Sequence, residues 1–272
     1  DASLISNIAN INISGIDRYD FVIDIINPEP INQMISPNYL KTTKINGHII
    51  PFNDMPQLTL NLENMTFGVK DIIETSMNGR LNATVNNQDI NVISNGELID
   101  IKGTAVDSVS GLLKEGVQWE TEVSFDQSNS DAELKQLSIL NQNFQFGGAG
   151  RANFETGALN IDVVGEIENL KNIVEGLAFE QQLSGGLVLN SNIQSAGQSS
   201  PLEVMNTLKA ENIDLGNPIL NELIGTSPAI KAALSRTPNG AITLSNTTFD
   251  GTFVDFVAEA IIEENQEINN AV

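Results

Sequence analysis

Alternation of apolar and polar residues with a period of two is the dominant pattern in this chain. In residues 117–126, VQWETEVSFD, apolar side chains or Thr occupy every second position, and Gln, Glu and Ser occupy most positions between them. This alternation is typical of β-strands that have one apolar face. It predicts antiparallel strands joined by turns, because Gly, Asn and Asp cluster between the alternating runs. The other clear runs are 21–25, 58–62, 79–87, 144–154 and 254–262.

Helical patterns are few and short. Residues 168–179 place four aliphatic side chains on one helical stripe. Residues 217–225 begin with Asn217, a preferred N-cap residue, continue with Pro218 and end at Gly225, a common helix terminator. The predicted fold class is therefore mostly β: a long curved antiparallel β-sheet with one or two short helices.

A short sequence motif, which we call the repeated phrase, occurs more than once in the chain. LSNTTFDG, residues 244–251, matches LENMTFGV, residues 62–69, and more loosely the segment that begins at Leu134. Longer stretches align with an offset close to 110, which predicts duplicated units of about 110 residues. We interpret the phrase as the same strand and turn in successive units. The predicted division is a divergent β-segment at 1–75 and two β-repeats at 76–180 and 181–272, in one continuous sheet without a true linker.

Net charge and the absence of cysteine exclude several functions. The chain has 13 Lys and Arg against 35 Asp and Glu, a formal charge of −22, so nucleic-acid binding is not expected. The absence of Cys excludes thiol catalysis, disulfides and Cys-based metal sites. No run of eighteen apolar residues occurs, so we expect a soluble segment.

Motifs of enzyme chemistry are missing. The single histidine, His48, can build neither an ordinary zinc site nor a Ser-His-Asp triad without further ligands or partners. The glycines of 147–150 lie inside an alternating strand and predict a kink or bulge rather than a phosphate loop. Residues 126–133 begin like a calcium loop but lack its central Gly and final Glu. We expect no enzymatic activity, no catalytic residue, no metal and no cofactor.

The apolar strand faces must be covered by something. One possibility is a self-filled β-solenoid or sandwich, which would act as an adhesin or structural repeat. Another is a curved trough whose inner face stays open to an apolar ligand. A third is a β-strand chaperone that uses open sheet edges to hold nascent chains. The residues we expect to line a groove are Trp119, Val123, Phe125, Phe144, Phe146, Leu187, Leu189, Val254 and Phe256.

Two stretches resemble the repeats of the TamB family, in the AsmA-like superfamily and particularly of the alphaproteobacterial type. Residues 214–262 contain a Leu-Gly segment, a short helix pattern, ALSR, a Gly turn and the strand ITLSNTTFDG. Residues 146–197 are similar to the accompanying G-x-G pattern, which ends in L-x-G-x-L-x-L-like strands; here the end reads LSGGLVLN. Together the two stretches cover much of the second half of the chain, and residues 1–75 match in style only.

The resemblance implies a fold, a location and partners. TamB-like proteins are periplasmic, are anchored in the inner membrane and fold as a taco-like curved β-sheet with an apolar groove. The family is implicated in moving phospholipid between inner and outer membranes, and in outer-membrane protein assembly with its partner TamA. The resemblance therefore implies phospholipid acyl chains as ligands of this chain and, for the chaperone alternative, outer-membrane proteins as the nascent chains. We expect an internal, soluble segment, so TamA is implied for the full-length family only.

Overall fold

The structure is a computed structural model that describes residues 2–35, 38–41, 43–51, 55–69, 72–86, 88–104, 106, 113, 115–172, 183–262 and 268–271. The chain divides into two compact units. Unit 1 comprises Asp1–Ser128 and Ser138–Gln142, and unit 2 comprises Asn129–Leu137 and Asn143–Val272. The two units are described separately. The predicted division at 75 and 180 concerns repeats rather than compact units and stays a prediction.

Unit 1 is an antiparallel sheet in which most strands pair with the next strand of the chain. Its elements are β1 (Ala2–Ile5), β2 (Ala9–Ser14), β3 (Tyr19–Ile25), α1 (Glu29–Ile35), β4 (Asn38–Leu40), β5 (Thr43–Ile50), β6 (Gln57–Val69), β7 (Ile73–Asn86), β8 (Asp89–Lys102) and β9 (Val117–Asp126). The exceptions are β3, which pairs with β5, and β4, which pairs with β6. Strand β5 also pairs with the long strand β6, so that β4 and β5 lie along different halves of it. The side chain of Asn32 in α1 holds β4: it donates to the carbonyl of Leu40 at 2.9 Å and accepts from the Leu40 amide at 2.6 Å.

Unit 2 is an antiparallel meander. Its elements are β10 (Asp131–Leu140), β11 (Gln145–Asn153), β12 (Leu159–Ile167), β13 (Ser184–Ser195), β14 (Leu202–Asp214), α2 (Pro218–Ile224), β15 (Ala229–Arg236), β16 (Ile242–Asp250), β17 (Asp255–Ile262) and β18 (Ile268–Ala271). Consecutive strands from β11 to β18 pair with each other. Strand β10 has residues in both units.

The helix predicted at 217–225 is confirmed as α2. Asn217 caps its first turn, since its Oδ1 accepts from the amides of Ile219 and Leu220, and Gly225 ends it with φ 83°. The pattern at 168–179 begins as a helix at residues 170–172, with Leu170 buried. The remainder of that predicted helix lies outside the described residues.

Beta-bulges interrupt the long strands at Asn or Asp residues. Asn64, Asp100, Asn212 and Asn246 have φ between 50° and 53°, and each lies where the register of its strand pair shifts. Asn and Asp tolerate this left-handed conformation better than other L-residues do. A bulge bends its strand and increases the local twist, so these residues contribute curvature to both sheets.

Two copies of the repeated phrase lie in a strand that ends at, or one residue before, the end of the phrase, but their Asn residue forms a bulge in the strand and does not belong to the turn. In 62–69 and in 244–251 the third residue, Asn64 or Asn246, has φ 50° and lies inside a strand. The register shifts immediately after Leu62 in the first copy and after Leu244 in the second. Gln136, at the matching position of the looser third copy, is not in the left-handed region.

The predicted fold class is confirmed: the chain is mostly β, its sheets are antiparallel, open and curved, and its helices are few and short. Extensive contacts among the described elements join neighbouring strands of a sheet, or α1 with β4. Only four aliphatic residues among those described are buried, Leu40, Val106, Leu170 and Ala210. The described residues therefore do not form the closed core of a self-filled sandwich or solenoid.

Candidate functional site

One face of the unit 2 sheet is apolar in every strand from β11 to β17. Residues opposite each other on paired strands project to the same side, so the register identifies the members of the face. Two rows of mostly bulky apolar residues cross the seven strands, and we call the face that carries them the unit 2 apolar face. The Phe146 row contains Phe146, Gly165, Leu189, Leu208, Ile230, Phe249 and Phe256. The Ile161 row contains Gly150, Ile161, Ile193, Val204, Leu234, Leu244 and Ala260.

A central row of smaller or polar residues separates these two rows. Because each row is two residues from the next along every strand, the Phe146 and Ile161 rows are about 13 Å apart. The central row is therefore the floor of a shallow channel that crosses the strands. Its residues are Gly148, Val163, Ser191, Asn206, Ala232, Thr247 and Ala258, with the Asn246 bulge between Ala232 and Thr247.

The unit 2 apolar face is uncovered by the described part of the chain. In its three rows only Gly165 is buried, and the large side chains are half-buried or exposed. Phe256 is 50% exposed, although its ring stacks on Phe249 with centroids 5.2 Å apart. Contiguous exposed apolar surface of this kind marks an interaction or ligand-binding surface.

Charge is segregated to the other face of unit 2. Among the face's described residues in β11 to β17, none is acidic and the one charged residue is Arg236. The opposite face carries the carboxylates and lysines of these strands, among them Asp162, Glu166, Glu203, Lys209, Lys231 and Asp250.

Unit 1 has the same construction. Its apolar face runs across β1 to β9, and the described residues that the register places on it include no charged side chain. One row that crosses the sheet contains Trp119, Gly96, Gly79, Leu62, Ile45, Ile23 and Ile11.

Aromatic rings cover glycines of neighbouring strands on both faces. A Cβ atom added to Gly96 would lie 2.5 Å from Cη2 of Trp119, and one added to Gly165 would lie 2.5 Å from Cε1 of Phe146. The indole of Trp119 also reaches Gly79 and donates its Nε1–H to Ser94 Oγ at 3.2 Å. Such ring-on-glycine pairs stabilise a sheet where glycine leaves a gap. Both rings therefore form part of the surface of the face.

The structure places most of the predicted groove residues on the two apolar faces. Trp119, Val123 and Phe125 lie on the unit 1 face, opposite Gly96, Val92 and Ile90 of β8. Phe146, Leu187, Leu189 and Phe256 lie on the unit 2 face. Two predicted residues precede their strands: Phe144, whose ring centroid is 5.5 Å from that of Phe146, and Val254, which is 37% exposed. Groove lining itself stays a prediction for all nine.

Sequence patterns did not indicate an apolar rim at one end of the unit 2 strands. Ile219 and Leu223 in α2 and Phe253 in the β16–β17 connection are exposed, Ile219 by 70% and Phe253 by 69%. The backbone joins these segments, since the amide of Phe253 donates to the carbonyl of Leu223 at 2.9 Å. At the other end, the connections 196–201 and 237–241 contain no bulky aliphatic or aromatic residue, whereas the β11–β12 connection carries Phe154, which is 67% exposed. A signal for the rim was the apolar content of residues 219–224 and 253–254.

Other candidate sites are weak. His48 lies in β5 opposite Asp20 and Thr59, and the described residues contain no group of three metal-ligating side chains. The depressions of about 400 Å³ at β12–β14 and about 320 Å³ near Gly186 are open and have many polar lining residues. Among the described residues, no helix has the length and apolar character needed to cross a membrane.

An ion cluster fixes the β4 segment at one end of unit 1. The carboxylate of Glu74 in β7 pairs with Lys41 Nζ at 2.7 Å and with Lys102 Nζ at 2.9 Å. It also accepts a hydrogen bond from the Tyr39 hydroxyl at 2.5 Å. These interactions, that of Lys41 first, lower the pKa of Glu74 from 4.5 to about 2. The cluster therefore ties β4 and the residue after it to β7 and β8.

The stability that this cluster contributes should be lost in acid. Because folding lowers the pKa of Glu74, the contribution is complete above about pH 5 and disappears as the pH falls through about 2. We expect Glu74→Gln to lower the free energy of unfolding by about 1–2 kcal/mol at pH 7, since both lysines are largely exposed. The difference from wild type should shrink towards pH 2 in denaturant titrations. Glu97→Gln is the control, because it removes a carboxylate that accepts a hydrogen bond from the side-chain amide of Asn78. A loss of unfolding free energy in Glu74→Gln that does not change with pH would contradict the prediction.

Comparison with protein families, with curated proteins and with solved structures finds no match for this chain. Its relation to TamB-like proteins is therefore a resemblance in sequence pattern, and its function has to be inferred from the geometry of the two apolar faces.

Proposed function

We propose that this chain is a segment of a TamB-like periplasmic bridge protein. Its apolar faces carry phospholipid acyl chains between the inner and outer membranes and so support outer-membrane protein biogenesis. One observation carries the proposal: each sheet has an apolar, almost uncharged face that no other described layer covers. In a chain of net charge −22, this segregation keeps nearly all charge away from the surface that would receive lipid.

The dimensions of the unit 2 apolar face suit an acyl chain that lies across the strands. Seven strands at about 4.8 Å spacing span about 29 Å. One leaflet of a bilayer contributes about half of the roughly 30 Å hydrocarbon thickness, so a chain of about 15 Å fits along the central row. The bulkier Phe146 and Ile161 rows flank it on both sides.

Burial of methylenes supplies the affinity. Each methylene removed from water contributes about 0.8 kcal/mol, so six of them contribute about 5 kcal/mol. Because the two mostly apolar rows flank the channel on every strand from β11 to β17, a chain can slide along it without nucleotide hydrolysis or a catalytic group. TamA is the outer-membrane partner of the full-length protein in this proposal, and the periplasm is its location.

Lipid binding to the purified chain tests the proposal. The chain is stripped of lipid and incubated with vesicles of phosphatidylethanolamine and phosphatidylglycerol, and the re-isolated protein is analysed by native mass spectrometry and lipid extraction. We expect bound phospholipid with its acyl chains protected from the solvent. A folded chain that takes up no phospholipid would overturn the proposal and favour a structural or adhesive role.

A further inference from the structure

Arg236 is the one charged residue on the unit 2 apolar face among the described residues of β11 to β17. It ends β15, and the register places Leu202 of β14 and Ile242 of β16 directly beside it. Leu234, two residues earlier, lies on the same face. Aliphatic side chains therefore surround the base of this arginine on three sides.

The side chain of Arg236 has no ion pair or hydrogen bond in the part of the chain that the structure describes. Arg18 pairs with Asp20, Arg151 with Glu133, and Lys41 and Lys102 with Glu74. The nearest carboxylate in the register of Arg236, Glu203, follows Leu202 and projects to the opposite face. No carboxylate of the described residues lies beside Arg236 on the apolar face, so its guanidinium remains available to an anionic ligand.

The position of Arg236 suits the polar end of an amphiphile. It lies at the strand end next to the short connection 237–241, where the guanidinium reaches water while its stem contacts apolar surface. The central row at Ala232 is four residues away along β15, about 13 Å. A ligand could thus keep an anionic group at Arg236 and place its hydrocarbon on the face.

We propose that Arg236 binds the phosphate of a phospholipid whose acyl chains lie on the unit 2 apolar face, an inference that rests on the function proposed above. A guanidinium is planar and binds phosphate oxygens in a bidentate manner, a geometry that the equally charged lysine does not reproduce. Charge complementarity selects the occupant: the face offers hydrocarbon contacts and a single positive group at its polar edge.

Two single-chain lipids with the same oleoyl chain test the inference. Lysophosphatidic acid carries a phosphate, whereas monooleoylglycerol is uncharged, and both are titrated below their aggregation concentrations by calorimetry. We expect wild type to bind lysophosphatidic acid roughly fivefold more tightly, as an exposed ion pair allows. Arg236→Gln should bind both lipids equally. Lys231→Gln, which removes a cation from the opposite face of the same strand, should keep the preference. Inorganic phosphate at millimolar concentration should not displace the lipid.

The outcomes separate the inference from the function on which it rests. If neither lipid binds the folded wild type, the proposed function fails and the inference fails with it. If both lipids bind wild type equally, or if Arg236→Gln keeps the preference, the assignment of Arg236 is overturned while acyl-chain binding stands. Displacement by inorganic phosphate would identify a free-anion site and also overturn it. Circular dichroism confirms that each variant is folded.

Discussion

Replacement of Gly165 by alanine is expected to lower the free energy of unfolding of unit 2 by about 2 kcal/mol. The new Cβ would lie 2.5 Å from Cε1 and 2.6 Å from Cδ1 of Phe146, so the ring must leave the sheet surface. The clash does not involve backbone atoms, because the atoms closest to the new Cβ belong to the side chains of Phe146 and, at 3.5 Å, Leu189. In the Phe146→Ala background the same Gly165→Ala change should therefore cost little.

Chemical denaturation of the four proteins in this cycle measures the coupling between the two positions. Gly147→Ala is the matched control, because its added Cβ would meet one atom, the Leu137 carbonyl oxygen, at an ordinary 3.6 Å. That change should be neutral or slightly stabilising, since alanine restricts the unfolded chain. Equal losses for Gly165→Ala with and without the Phe146 ring would show that the ring does not cover this glycine.

The alternation of side chains was enough to predict the two faces. Val117 to Phe125 project to one side because the period of a strand is two, and no tertiary information is needed for that conclusion. The ends of α2 could be predicted for the same reason, because Asn217 and Gly225 form hydrogen bonds with residues of their own helix. Whether another layer covers these faces was not a local question, and the sequence left a filled core and an open trough as alternatives.

Features that depend on register could not be predicted. Trp119 reads as one more apolar residue until β8 is aligned beside it, which brings Gly96 under the indole. Asn64 and Asn246 were recognised as a repeated phrase, but an Asn in the left-handed region occurs in turns and in bulges alike. Arg236 was overlooked because a cation at the end of a strand is ordinary, and its neighbours on the face come from other strands.

Replacement of Leu208 by aspartate is expected to reduce phospholipid binding by the unit 2 apolar face at least tenfold. Leu208 lies in the Phe146 row between Leu189 and Ile230, and it is half-buried. A carboxylate at this position would have to lose water when an acyl chain covers it, and no described cation lies on the face near it to offset that cost. A tenfold loss corresponds to about 1.4 kcal/mol, which is small beside the cost of burying an unpaired charge.

Thr207→Asp is the matched control for Leu208→Asp, because it introduces the same charge one residue earlier in the same strand. Thr207 projects to the opposite face, where Asn190 and Lys231 are its neighbours, so lipid uptake from vesicles should match that of wild type. Leu208→Thr keeps a strand-forming side chain without a charge and should lie between the two if the aspartate variant loses its fold. If Leu208→Asp and Thr207→Asp lose lipid equally, the loss is caused by net charge and not by a change to the apolar face. If a folded Leu208→Asp protein binds as much lipid as wild type, the lipid does not bind at this position.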